Sequence, residues 1–165
     1  MQNGVEPYLA AHAEEFYWER ESGHPIHVLR YRAFRPRGVV VISHGFTENA
    51  EKYKEIVYYF IKEHFHVYLP EHCGHGKSYR LVEDPSLVYV DSYHRYVEDL
   101  LFVARKAKAE ACGLPLVLYS HSMGGGIAAA AAAKAPHLSG SGLEFADDPS
   151  ADRKVPFADA NGSHF

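Results

Sequence analysis

One serine stands where it could act as a nucleophile, since residues 116–127 are typical of a buried strand, a tight turn and a helix start. An apolar run ends at Tyr119, Ser122 follows with a small residue two positions away on either side, and a glycine cluster leads into an alanine-rich segment. Such a turn lifts the serine clear of the backbone, and the helix N-terminus behind it offers free N–H groups. We interpret the stretch as a nucleophile elbow with Ser122 at its apex. The alternative is a glycine-rich helix start without chemistry.

The residues around this serine fit the pattern G-x-S-x-G with one exception. Gly124 and Gly125 supply the small residues after the serine, and Ser120 stands where the first glycine is usual. Strand and helix nearly touch at this turn, so only small residues fit there. Serine is small enough for the first position.

A second loop could supply the electrostatic half of such a site. The apolar, β-branched run Val39–Ile42 predicts a buried strand, and it ends at Ser43-His44-Gly45-Phe46. Backbone N–H groups from this loop and from the residue after the serine can stabilise an oxyanion. We therefore predict that the amides of Phe46 and Met123 form an oxyanion hole; the alternative is an ordinary strand-to-helix loop.

Other reactive-looking residues are better explained by packing. Five histidines and cysteines cluster in sequence, but no carboxylate or cysteine pair completes zinc spacing, so we predict structural roles and no metal site. They are His64, His66, His72, Cys73 and His75. The segment Gly76-Lys77-Ser78 ends like a phosphate-binding loop, but Glu71 stands where that motif needs a glycine and would repel phosphate.

The elements that must position these residues alternate along the chain. Turns at 22–25 and 35–38 divide three N-terminal strands, and the strands that flank the second turn are predicted to form an antiparallel hairpin. Helices are predicted over 49–63 and 92–111, with a strand over 66–70 between them. Strand and helix in alternation predict an α/β fold with a mostly parallel sheet.

These motifs together resemble the α/β-hydrolase superfamily, in its lysophospholipase and monoacylglycerol lipase branch, also called serine aminopeptidase S33. The resemblance covers roughly residues 15–136 and rests on His44-Gly45, on the loop 71–78 and on residues 120–125. Two departures are Cys73, where the family usually has arginine, and Ser120, where it has glycine. The resemblance implies an α/β-hydrolase fold of which this chain holds the N-terminal half, with the C-terminal strands and lid missing.

The resemblance also implies a catalytic acid and histidine beyond the elbow, and these stay unassigned. Candidates in the tail are Asp147, Asp148, Asp152, Asp159 and His164. Asp152 and His164 follow the order serine, acid, histidine, but the tail is too short for the family's intervening strands. His121 adjoins the serine, but neighbouring residues on an elbow point apart, so we predict a packing or hydrogen-bonding role for it.

Composition supports one globular domain at residues 1–136 followed by an irregular or disordered tail at 137–165. A formal charge of -4 gives no support to nucleic-acid binding. The sequence shows neither a signal peptide nor an apolar run of about 18 residues, so we expect a cytoplasmic protein that could touch membranes peripherally. The two cysteines make no disulfide framework.

The function predicted from these observations is hydrolysis of carboxylic esters, with a lipid or small ester as substrate and no cofactor. Ser122 is the expected nucleophile, and turnover by this chain is in doubt because no acid or base is assigned. The alternative is a truncated, inactive fragment that serves, if at all, as a binding or interaction module.

Overall fold

Strands and helices alternate through most of the structure, a computed structural model that describes residues 2–138 and 146–147. The strands are β1 (Ala13–Glu19), β2 (Pro25–Tyr31), β3 (Gly38–Ser43), β4 (Phe65–Pro70), β5 (Leu116–Ser120) and β6 (Ala146–Asp147). The α-helices are α1 (Gln2–Ala10), α2 (Lys54–Lys62), α3 (Tyr93–Glu110) and α4 (Met123–Lys134), with 3₁₀ turns at Ala50–Tyr53 and Pro136–Leu138.

The six strands form one mixed sheet in the order β1-β2-β4-β3-β5-β6. β3 lies in the middle and pairs in parallel with β4 and with β5, where Ser43 is opposite Ser120. Parallel strands end at the same edge of a sheet, so the loops that follow β3 and β5 leave side by side. The predicted α/β class, with a mostly parallel sheet, is confirmed.

Both faces of the sheet are covered by helices. Val39 and Val41 of β3 belong to a buried cluster with α3 and α4, whereas Val40 and Ile42 belong to a second cluster with α2. Successive side chains of a strand point to opposite faces, so a fully apolar β3 serves both layers. All six residues of β3 are buried, as the sequence predicts.

The antiparallel hairpin exists, but one turn earlier than predicted. β1 pairs with β2 across the turn at 20–24, and β2 then pairs antiparallel with β4 rather than with β3. A turn signal marks where the chain reverses, but it does not fix which strand becomes the neighbour. The six residues 32–37 are long enough to carry the chain past one strand, a span of about 10 Å.

Two elements were not predicted. Helix α1 contains Pro7 and has little helical signal of its own, but buried Leu9 joins the α2 cluster and packing supplies the stability. The sequence of the tail shows no strand pattern, and the strand found there, Ala146–Asp147, pairs in parallel with Tyr119 and Ser120 of β5 over two residues, too few for a sequence pattern.

The division into a domain at 1–136 and an irregular tail stays a prediction, since 139–145 and 148–165 lie outside the described residues. Within the described part of the chain, no helix combines the length and apolarity needed to cross a membrane.

Candidate active site

Ser122 occupies the turn between β5 and α4, as the sequence predicts. β5 ends at Ser120, α4 begins at Met123, and Ser122 has φ 53° and ψ -122°. A non-glycine residue adopts such a conformation at a cost of about 1–3 kcal/mol, so the surrounding structure must impose it. The Ser122 side chain is exposed at the sheet edge. The backbone at the candidate nucleophile is therefore strained.

Close packing against β3 imposes this turn. A Cβ atom on Gly124 would lie 2.0 Å from the carbonyl oxygen of Ser43 and 2.6 Å from that of His44. His121 N–H also donates to the Ser43 carbonyl at 3.2 Å. Gly124 is thus required by contact with backbone, whereas a Cβ on Gly125 would meet nothing nearer than the Ser120 hydroxyl at 3.8 Å.

The loop after β3 brings Phe46 to the same edge of the sheet. The Phe46 side chain is exposed, and Thr47 beside it has a φ of 57°. Within the described residues, the backbone N–H groups of Phe46 and Met123 have no hydrogen-bond partner. One of these unpaired N–H groups, that of Phe46, thus lies in the loop after β3. The other, that of Met123, lies at the start of α4, just after the neighbouring strand β5.

Side chains of the loop 71–78 accept hydrogen bonds from backbone N–H groups of the loop that contains Phe46. His75 Nε2 accepts from Thr47 N–H at 3.1 Å, and Glu71 Oε1 accepts from Ala50 N–H at 2.9 Å. The His72 N–H donates to His44 Nε2 at 2.8 Å. The residues that carry the family resemblance here thus fix one loop against another.

The Glu71 carboxylate fills the loop that resembles a phosphate-binding motif. It accepts from Lys77 N–H at 2.7 Å and contacts His27 Nδ1 at 2.7 Å. Burial opposes its charge, but these hydrogen bonds outweigh burial and lower the pKa of Glu71 to about 2. Gly76, with φ +49°, wraps so closely that a Cβ would lie 2.0 Å from this carboxylate. A phosphate has no room inside the loop.

The histidines clustered in sequence, and His44 beside them in the structure, have structural partners. His44 Nδ1 donates to the Gly45 carbonyl at 2.8 Å, and His75 Nδ1 donates to the Cys73 carbonyl at 3.0 Å. Burial lowers the pKa of His44 to about 4, so the ring is neutral near pH 7. His64, also in the sequence cluster, bonds the Phe34 carbonyl. In the described part of the chain, no three His, Cys, Asp or Glu side chains are grouped to hold a metal.

His121 has the hydrogen-bonding role predicted for it. Its Nδ1 lies 3.2 Å and 3.3 Å from the two carboxylate oxygens of Glu48. Sequence reasoning missed Glu48, although an acid three residues after Gly45 and just before the capping residue Asn49 was a usable signal. Among residues 2–138, no histidine is hydrogen-bonded to the Ser122 hydroxyl.

The tail candidates for acid and base are largely undescribed. The backbone of Asp147 pairs beside Ser120, at the same sheet edge as the candidate nucleophile. Asp148, Asp152, Asp159 and His164 lie outside the described residues.

Sequence comparison finds relatives among lipid hydrolases. A family model described as serine aminopeptidase, S33 matches residues 35–145. The chain is 35% identical over 103 residues to Lysophospholipase L2 of Escherichia coli, covering 62% of this chain and 30% of that protein. It is 36% identical over 101 residues to a monoacylglycerol lipase of Mycolicibacterium smegmatis, covering 61% and 34%. The chain thus spans about a third of these relatives' length.

Solved structures of hydrolases share the fold. A thermostable carboxyl esterase from Bacillus coagulans superposes with a TM-score of 0.71 and 26% identity, over 81% of this chain and 44% of that one. A monoglyceride lipase from Saccharomyces cerevisiae, solved with a substrate analog, gives a TM-score of 0.67 and 26% identity over 81% and 43%.

Proposed function

The chain belongs to the serine aminopeptidase S33 family of α/β-hydrolases, and from this premise we propose that it contributes the nucleophile and oxyanion hole of a carboxylic-ester hydrolase. The observation that carries the proposal is the exposed Ser122, held with φ 53° where β5 meets α4. The relatives' names, lysophospholipase and monoacylglycerol lipase, indicate the substrate class: a lipid with one ester-linked acyl chain.

In the proposed reaction, the Ser122 oxygen attacks the ester carbonyl carbon. The O–C bond forms, the hydroxyl proton passes to an imidazole base, and the carbonyl electron pair moves onto oxygen as an oxyanion. The oxyanion electron pair then re-forms the carbonyl, the C–O bond to the alcohol breaks, and the leaving oxygen takes the proton back from the base. Water later attacks the acyl-serine by the same steps, releasing the acid and restoring Ser122.

The amides of Phe46 and Met123 are the proposed donors to that oxyanion. Support comes from their positions just after the paired strands β3 and β5. Neither N–H has another hydrogen-bond acceptor among the described residues. Preorganised donors of this kind act where charge develops, and loss of one donor typically slows the reaction about 10²- to 10³-fold.

The base is the component that residues 2–138 do not place beside Ser122. Each histidine near the site has other bonds: His44 and His75 to backbone, and His121 to Glu48. A serine hydroxyl without a base is a weak nucleophile at neutral pH. We therefore expect slow, base-limited acylation of Ser122 in the 165-residue chain, which external imidazole should accelerate.

The test is acylation of Ser122 by a p-nitrophenyl ester, located by peptide mass spectrometry with and without added imidazole. We expect one acyl group on Ser122, at a rate that rises with imidazole and is lost in Ser122→Ala. Ser86→Ala is the matched control, because Ser86 is an exposed serine whose hydroxyl bonds Asp84. Equal labelling of Ser122 and Ser86, or no labelling of Ser122 in folded protein, would reject Ser122 as the nucleophile. Either result would favour the alternative, an inactive fragment that serves as a binding module.

A further inference from the structure

Glu48 is the most heavily hydrogen-bonded carboxylate beside the proposed site. Its Oε2 accepts from Gly45 N–H at 2.7 Å and from the Tyr53 hydroxyl at 2.6 Å. Lys52 pairs with Oε1, and His121 Nδ1 lies 3.2 Å from Oε1. The side chain is only 10% exposed, so this carboxylate bonds protein groups rather than solvent.

Two of these partners adjoin the groups that the proposed reaction needs. Gly45 directly precedes Phe46, whose amide is a proposed oxyanion donor, and His121 directly precedes Ser122. Glu48 and His121 are 73 residues apart in sequence, so the contact joins two loops that have separate origins. Resting on the proposed function, we infer that Glu48 is a positioning residue that ties the oxyanion loop to the nucleophile elbow.

Gly45, Glu48 and His121 pack closely around this link. A Cβ on Gly45 would lie 2.8 Å from Glu48 Oε2 and 3.1 Å from His121 Nδ1, so the three residues meet in contact. A displacement of the carboxylate would therefore be transmitted to both loops. Misplacement of a reacting group by about 1 Å can slow an enzyme about 10²-fold, so a link of this kind has a measurable effect on rate.

The charge of Glu48 suits it to this position. Burial works against the ionised form, but hydrogen bonds from Lys52, Tyr53 and the Gly45 N–H outweigh it and lower the pKa of Glu48 to about 2. An ionised carboxylate only accepts hydrogen bonds, so it satisfies four donors at once. It also requires His121 to carry a proton on Nδ1. A glutamine could not replace it, because its amide nitrogen would face donors.

The experiment compares Glu48→Gln with His121→Ala and with the double variant in the full chain. Glu51→Gln is the matched control, since Glu51 is an exposed glutamate of the same segment that pairs with Lys54 and touches neither loop partner. The first readout is acylation of Ser122 by p-nitrophenyl acetate at fixed imidazole. The second is the backbone amide NMR spectrum, with attention to Gly45 and Met123.

We expect Glu48→Gln and His121→Ala each to slow acylation about tenfold, and the double variant to be no slower than either, because both cut one link. Glu51→Gln should stay within about twofold of the parent. The amide proton of Gly45 should move upfield in Glu48→Gln, and the Met123 amide should shift although Glu48 does not touch it. A folded Glu48→Gln at the parent rate, or rate losses that multiply, would overturn the inference.

Failure of the proposed function gives a different result from failure of the Glu48 inference. If Ser122 of the parent chain takes no acyl group, the proposed function is wrong, and the NMR measurement alone tests whether Glu48 joins the two loops. Shifts at both Gly45 and Met123 would then uphold the inference, and shifts confined to residues 44–53 would overturn it. If Glu48→Gln does not fold, both measurements are made on His121→Ala with the same criteria, because the His121 side chain is partly exposed.

Discussion

Two glycines at the start of α4, Gly124 and Gly126, should respond to alanine with stability changes of opposite sign. At Gly124 the new methyl group would lie 2.0 Å and 2.6 Å from the carbonyl oxygens of Ser43 and His44. At Gly126 the nearest atom would be the Tyr93 hydroxyl at 3.5 Å, an ordinary contact. The pair therefore separates packing against β3 from helix propensity.

The magnitude follows from two opposed effects. Overpacking costs about 1–3 kcal/mol, and the upper half of that range applies here because the obstructing atoms are backbone and cannot rotate away. Alanine is favoured over glycine in a helix by up to about 1 kcal/mol. Gly124→Ala should thus lose about 2 kcal/mol of unfolding free energy, whereas Gly126→Ala should gain about 0.5–1 kcal/mol.

The assay is urea and thermal unfolding followed by circular dichroism and by fluorescence of Trp18, the single tryptophan, which is buried in the α3 and α4 cluster. For a chain of this size, 1 kcal/mol shifts Tm by about 2–4 °C. Gly124→Ala should melt about 4–8 °C below the parent and Gly126→Ala slightly above it. Equal stability of the two variants would show that α4 does not press on β3 as described.

Further outcomes concern the glycine loop, two titrations and turnover. Gly76→Ala should destabilise more than Gly23→Ala in urea, since both have positive φ but only Gly76 faces a carboxylate. Glu71, with its pKa lowered from 4.5 to about 2, stabilises the fold fully above pH 4.5 and loses this as pH falls toward 2, so Glu71→Gln should flatten that part of a stability–pH profile. The pKa of His44 is lowered from 6.5 to about 4, so its contribution to stability should be present above pH 6.5 and be lost as pH falls from 6.5 to 4. Its ring should titrate near pH 4 by NMR. Ester turnover by the full chain without imidazole should be negligible; robust turnover abolished by Ser122→Ala would show that a base is already in place.

Local sequence pattern determined the elements that carry the site. The apolar run before Ser120, the small residues after Ser122 and the alanine-rich segment specify strand, turn and helix from within a dozen residues, and the structure has all three. The predicted helix over 92–111 became Tyr93–Glu110 with Ser92 as its N-cap. These features depend on periodicity and capping, which neighbouring residues fix among themselves.

Tertiary structure decided which elements became neighbours. The turn at 35–38 reverses the chain in any arrangement, but only the assembled sheet places β4 between β2 and β3. α1 has weak helical preference and exists through contacts with α2. The Glu48–His121 contact spans 73 residues, and no local pattern encodes it, because it forms only when β3 and β5 lie side by side and Gly124 lets α4 approach.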